Sequence, residues 1–237
     1  GAQQVRFGGF LQDIDLWDLA LFGISPNEGL QIDPQQRLLL DKSLNICRHV
    51  GETMAVLKGS DRSVVVGIGA AEYAGMWTAT GGEITSYTSL QGSLSVSCGR
   101  ISYTFGFNGP SLSIDTACSS SLVATHVGAD LLKNDECDSS MAAGVNLTLF
   151  AYGYQLFQAS GMLARDGRCK SLDQSGDGYV RAEACGALQV KLDADDAYAV
   201  LAPLRGSGAN QDGRSSSLTA PNGPSQQAAI RKTMDVA

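Results

Sequence analysis

The stretch Ser63-Val64-Val65-Val66-Gly67-Ile68-Gly69 constrains this chain more than any other. It is β-branched, too short for a helix, and apolar at successive positions, so it reads as a strand buried on both faces. Such a strand belongs in a sheet with helices packed on either side, and the surrounding sequence supplies both. Phe7 to Phe22 reads as loop and short helix. Asp33-Pro34 starts a helix with a capping carboxylate and a proline in the first turn, Leu38, Leu39, Leu40, Leu44 and Ile46 form its stripe, and Gly51 closes it. Leu112 and Ile114 alternate with Ser111 and Ser113 as a second strand. Residues 119–133 follow as a largely apolar helix, expected to be buried all round. Met141–Leu149, Gly186–Leu192 and Tyr198–Leu204 read as further strands. Helices interleaved with buried strands define an α/β protein. With 237 residues, one large domain or an incomplete one fits.

Composition removes several functional classes. The net charge is −7, whereas a nucleic-acid binder needs a basic face to neutralise phosphate, so no nucleic-acid partner is expected. No run of about 18 apolar residues suggests a membrane span, and Gly1 to Arg6 lacks the apolar core of a signal peptide. The six cysteines, at 47, 98, 118, 137, 169 and 185, contain no Cys-x-x-Cys pair. Neither a zinc cage nor a disulfide framework is expected, and reduced thiols in an intracellular, cytoplasmic setting are the default reading.

Three motifs carry a blander reading than their letters suggest. Gly67-Ile68-Gly69 resembles the start of a dinucleotide loop, but Glu72 stands where the third glycine belongs, its carboxylate would repel pyrophosphate, and no helix start is evident there. Asp173, Ser175, Asp177 and Gly178 follow the opening of a calcium loop, but Ala184 stands at the position of the bidentate glutamate, so an Asp/Gly-rich turn is expected and no metal site. Asn146-Leu147-Thr148 is a glycosylation sequon in a strand expected to be buried. The two histidines, His49 in a helix's last turn and His126 inside the 119–133 helix, read as structural.

Chemistry concentrates in Ser111-Leu112-Ser113-Ile114-Asp115-Thr116-Ala117-Cys118-Ser119-Ser120-Ser121-Leu122. An alternating strand runs straight into a helix with Cys118 at the junction. The N–H groups and positive dipole end of a helix N-terminus favour a thiolate. A sharp strand-to-helix turn exposes its side chain at the sheet edge, and the small neighbours Ala117, Ser119 and Ser120 leave room for a substrate whose oxyanion backbone N–H groups can hold. On the residues alone, a structural cysteine in a serine-rich turn is equally admissible.

Asp115-Thr116-Ala117-Cys118-Ser119-Ser120-Ser121-Leu122 resembles the active-site motif of β-ketoacyl synthases, the ketosynthase domains of polyketide and fatty-acid synthases. Further stretches resemble the family in the family's order: Phe22 to Pro26, Asp33 to Leu40, Gly161 to Lys170, Asp177 to Arg181, Asn210 to Arg214 and Leu218 to Gln226. Three departures stand out. Ala182-Glu183-Ala184 replaces Gly-Glu-Gly, Ala143 replaces one of two glycines, and Leu44 replaces a tryptophan; alanine is expected to strain the backbone where glycine served a positive φ.

The resemblance implies a thiolase-like fold of αβαβα layers, normally a homodimer. It implies that Cys118 accepts an acyl chain from a phosphopantetheine thioester, with no cofactor bound directly by the chain itself. A malonyl-type extender on an acyl carrier protein is then decarboxylated and condensed with that acyl group, with two histidines of the family's second half assisting. Phe157 and Met162 fall in the region the family uses for its acyl pocket and dimer contact. By the same resemblance, residues 1–237 correspond to a partial ketosynthase domain, without the family's opening strand and without the histidine segments, so condensation by this chain alone is not expected. A non-catalytic ketosynthase-like partner is the alternative. A thiolase or chalcone-synthase-like enzyme fits the fold but not the 166–169 and 210–226 stretches.

Overall fold

The computed structural model describes residues 6–192 and 200–237. In chain order its elements are a 3-10 turn (Ala20–Phe22), α1 (Pro26–Gln31), α2 (Pro34–His49), α3 (Met54–Leu57), β1 (Arg62–Gly67), α4 (Glu72–Ala79), α5 (Thr88–Gln91), α6 (Leu94–Phe105), β2 (Ser111–Ile114), a second 3-10 turn (Ala117–Ser119), α7 (Ser120–Lys133), β3 (Ser139–Asn146), α8 (Ala151–Ala159), β4 (Ala184–Val190) and α9 (Gly223–Asp235).

The strands form one mixed sheet in the order β2-β1-β3-β4. β1 pairs in parallel with β2 and β3, while β4 runs antiparallel to β3. Every residue of β1 is buried, the apolar Val64 to Val66 as expected and Arg62 through its paired bonds to Glu52 at 2.9 and 2.7 Å. Val64 and Val66 point to one face, where they meet Leu39, Leu40 and Leu44 of α2 and Ile101 and Phe105 of α6. Val65 points to the other, against Ala124, Leu131 and Leu132 of α7. The period-2 alternation of one strand thus joins two cores and fixes three layers, α2/α6, sheet and α7.

The start of α2 is the one the sequence announces. Asp33 caps it by accepting the Gln35 N–H at 2.8 Å, with Pro34 in the first turn. Asp33 is 1% exposed, and burial outweighs the cap hydrogen bond and Arg37, pushing its carboxyl from an ordinary 3.8 up to about 6. The folded chain therefore binds this proton more tightly than the unfolded chain. The resulting stabilisation is complete below about pH 3.8 and is lost as pH rises through about 6. Asp33→Asn, whose amide oxygen keeps the cap, is expected to match the native protein near pH 3.5 in urea unfolding and to exceed it above pH 6.5 by up to about 3 kcal/mol. A difference independent of pH would contradict this.

Four expectations need correction. α7 is not buried all round: Ala124, Gly128, Ala129, Leu131 and Leu132 are buried, but Leu122 is 74% exposed. Of the strand expected at 198–204, residues 198 and 199 lie outside the described residues, and Val200 to Leu204 is exposed irregular backbone. A helix does start beside the Gly67–Gly69 turn, because Glu72 is the first residue of α4. Asn146 closes β3 exposed rather than buried, its side-chain amide donating to the Ala182 carbonyl at 3.2 Å.

Nor do the alanine replacements strain the backbone. None of Ala143, Ala182 and Ala184 sits at a positive φ. Ala143 packs in the α2/α6 core with Leu44, which is itself buried at 8% exposure. The 173–178 segment is a turn, as expected. Asp173 Oδ1 accepts from the Ser175 N–H and hydroxyl at 2.8 and 2.7 Å, and Asp177 pairs with Lys170 at 2.6 Å.

Candidate active site

β1, β2 and β3 run parallel, so their carboxyl ends share one edge of the sheet, the place where α/β sheets build ligand sites. Cys118 lies just beyond β2 on this edge. The turn that carries it is tightly determined. Asp115 Oδ1 accepts the Ala117 N–H at 2.9 Å, Ser120 Oγ accepts the Thr116 N–H at 2.9 Å and donates to the Ala117 carbonyl at 2.7 Å, and Ser119 Oγ donates to the Thr116 carbonyl at 2.8 Å. These bonds hold Ala117 at φ 55°, a left-handed conformation that alanine adopts only when its surroundings impose it. The backbone reverses there, and Cys118 emerges exposed at the start of the α7 helical segment.

Glycines let this helix come down onto the sheet. A Cβ on Gly67 would lie 2.5 Å from the Ser120 carbonyl carbon, and one on Gly144 would lie 2.5 Å from the Ser121 Cβ. Gly67 and Gly144 are directly paired across β1 and β3, so together they form a floor without side chains beneath the first residues of α7.

The other five thiols are placed differently. Cys47, Cys98 and Cys137 are buried, and burial pushes Cys47 up against the opposing pull of Arg62. Burial pushes Cys185 up to about 12. Cys169 is exposed, with its sulfur accepting the Val180 N–H at 3.3 Å.

Neither histidine serves Cys118. His49 is exposed in the last turn of α2. His126 lies eight residues beyond Cys118 in sequence, about 12 Å along α7. Its Nδ1 is 2.9 Å from the Ser207 hydroxyl and its Nε2 is 3.4 Å from Asp130. The structural reading of His126 stands, with a role the sequence did not reveal: it ties the 204–208 segment to α7.

Phe157 lies on α8, which follows β3 at the same sheet edge. Its ring sits edge-on to Tyr179 at 6.2 Å, with the Arg181 guanidinium 4.6 Å from its centre. Arg181 also lies 5.5 Å from the Tyr154 ring, so a cation is held between two aromatic rings. Met162 is 42% exposed, and its carbonyl accepts the Tyr179 N–H at 3.0 Å. Sequence reasoning missed Arg181 and Tyr154. The available signal was the run of aromatics Phe150, Tyr152, Tyr154 and Phe157, with nothing to say which cation they would meet.

The cysteine turn over a glycine floor sits on a sheet with helices on both faces, and the fold is that of a thiolase-like domain. The chain belongs to the β-ketoacyl synthase family: residues 1–196 match the family described as beta-ketoacyl synthase, N-terminal domain. It is 42% identical to polyketide synthase GfsE of Streptomyces halstedii over 99% of its length and 6% of that protein, and 40% identical to erythronolide synthase EryA2 of Saccharopolyspora erythraea over 99% and 7%. Its fold matches the ketosynthase from module 6 of the bacillaene synthase of Bacillus subtilis 168 with a TM-score of 0.87 and 34% identity, across 96% of this chain and 39% of that one. The oxazolomycin ketosynthase domain OzmH KS7 of Streptomyces albus JA3453 matches with a TM-score of 0.85 and 30% identity, across 96% and 41%. The chain therefore spans well under half of these ketosynthase structures and under a tenth of the two synthases. Among the described residues no helix is long and apolar enough to cross a membrane.

Proposed function

We propose that this chain is the nucleophile-bearing part of a polyketide-synthase ketosynthase, with residues 1–237 forming a partial ketosynthase domain. The reading rests above all on the exposed Cys118 at the head of α7, held on a backbone reversal. The Cys118 thiolate attacks an acyl thioester, and the phosphopantetheine thiolate leaves. The amides of Ala117 and Ser119 are bonded within the turn, which leaves the Cys118 N–H as the turn's donor to the transient oxyanion among these three amides. A malonyl-type thioester on an acyl carrier protein then loses CO2, its enolate attacks the acyl-Cys118 carbonyl, and the Cys118 thiolate is released. With His126 bonded to Ser207 and Asp130 and His49 exposed at the far end of α2, the proton and hydrogen-bond donors for decarboxylation come from outside these residues. The partners in this reading are an acyl carrier protein and a second copy of the protein. A purely non-catalytic role is disfavoured, because a strained, exposed cysteine elbow has no use in a protein that only dimerises.

Incubating the intact protein with an acyl thioester of N-acetylcysteamine tests the reading, the expected result being a mass adduct confined to the Cys118 peptide. An adduct elsewhere, or none, would remove it.

In the same reading Phe157 and Met162 line the acyl pocket. Phe157→Ala is expected to shift the preferred acyl length by about two carbons or more, since it vacates most of a benzyl group's volume. An unchanged length profile with lowered stability would instead make Phe157 a packing residue for Arg181 and Tyr179.

A further inference from the structure

Glu72 is the side chain that the failed dinucleotide motif left without a purpose, and the structure gives it one. It is the first residue of α4, just past the carboxyl end of β1. Its Oε2 accepts two backbone N–H groups, those of Leu149 at 2.8 Å and Phe150 at 2.9 Å. These amides lead into α8, whose own N-cap residue, Phe150, contributes no side-chain cap. A carboxylate from a different helix thus does the capping, with charge of the sign that a helix N-terminus favours. Glu72 also abuts the body of α8: a Cβ on Gly153 would lie 3.3 Å from its Oε1 and 3.8 Å from Arg181 Nη2. Gly153 therefore lets Glu72 and Arg181 approach the same helix closely from outside. One turn further along α8 stands Phe157, beneath the Arg181 guanidinium.

We propose that Glu72 is a positioning residue for substrate selection: it fixes α8, and with it the Phe157–Arg181–Tyr179 group, on the edge that carries Cys118. This rests on the ketosynthase reading above. The Cys118 turn is held by its own bonds to Asp115, Ser119 and Ser120, none of which involves Glu72. Loss of the Glu72 carboxylate should therefore loosen α8 and leave the nucleophile as it was.

The test uses the intact protein with Glu72→Ala and Glu72→Gln. Hydrogen exchange of peptides covering 147–154 is expected to accelerate about tenfold in Glu72→Ala, with peptides from α7 unchanged. The KM for the acyl thioester is expected to rise about fivefold or more, with a changed acyl-length profile, while alkylation of Cys118 stays within about twofold of the native rate. Both amides converge on one oxygen, so the single amide oxygen of Glu72→Gln can accept both, and that variant is expected within about threefold of the native protein in each measurement. Unchanged exchange at 147–154 in Glu72→Ala overturns the proposal. So does equal loosening of α7 together with slowed Cys118 alkylation, which would make Glu72 a general structural residue, and so does a Glu72→Gln variant as impaired as Glu72→Ala. If the native protein never acylates Cys118, the ketosynthase reading falls, and the exchange measurement still decides whether Glu72 holds α8.

Discussion

Cys118→Ala is expected to abolish acylation, with a loss of at least about 10³-fold, because no other group at the turn can form the thioester. The fold should survive. Cys118 is exposed, and the turn is held by Asp115, Thr116, Ser119 and Ser120 rather than by the thiol, so stability should change by less than about 0.5 kcal/mol. In the native protein, iodoacetamide should modify Cys118 first. Cys169 is the informative competitor, since it is also exposed but lies in an irregular loop rather than at a helix start. Peptide mapping across a time course decides the order. Faster labelling of Cys169, or persistent acylation of Cys118→Ala, would move the nucleophile elsewhere.

The parts of this site that could be read from sequence are those whose physics is local. A capping aspartate before proline, a β-branched run and a strand-to-helix junction each act over a few neighbouring residues, so Asp33, β1 and the Cys118 turn were all legible. The illegible parts depend on partners far along the chain. Glu72 looked like a defect in a phosphate loop because its real partners, the Leu149 and Phe150 amides, lie 77 and 78 residues away. Leu122 looked buried because it shares a helix with Ala124 and Leu131; only the docking of α7 on the sheet shows which face is covered. Val200 to Leu204 is apolar enough for a strand, but apolar letters do not supply a neighbouring strand to pair with. The expected strain at the alanine replacements also failed for a reason outside local sequence, since Ala143 turns out to face the α2/α6 core rather than α7.

The glycine floor provides the second large effect. Gly67→Ala would bring a methyl group to 2.5 Å from the Ser120 carbonyl carbon and 2.6 Å from the Ser121 nitrogen, both backbone atoms that no rotamer change can move. Either β1, buried along its whole length, or the first turn of α7 must shift. The stability cost is expected at or beyond the upper end of ordinary overpacking, about 3 kcal/mol. Because the 3-10 turn that carries Cys118 runs directly into the first turn of α7, acylation should fall as well, by about 10²-fold for a displacement near 1 Å. Gly144→Ala meets the Ser121 Cβ instead and should behave similarly. Gly186 is paired with Gly144 on the edge strand β4, but an added Cβ there meets no heavy atom within 4 Å. Gly186→Ala should therefore be neutral or slightly stabilising, within about 1 kcal/mol. Urea unfolding and Cys118 acylation measured on the three variants separate two explanations. If all three lose the same stability, the glycines serve strand flexibility in general; if only Gly67→Ala and Gly144→Ala lose stability and acylation together, the missing side chains are what seat the nucleophile helix on the sheet.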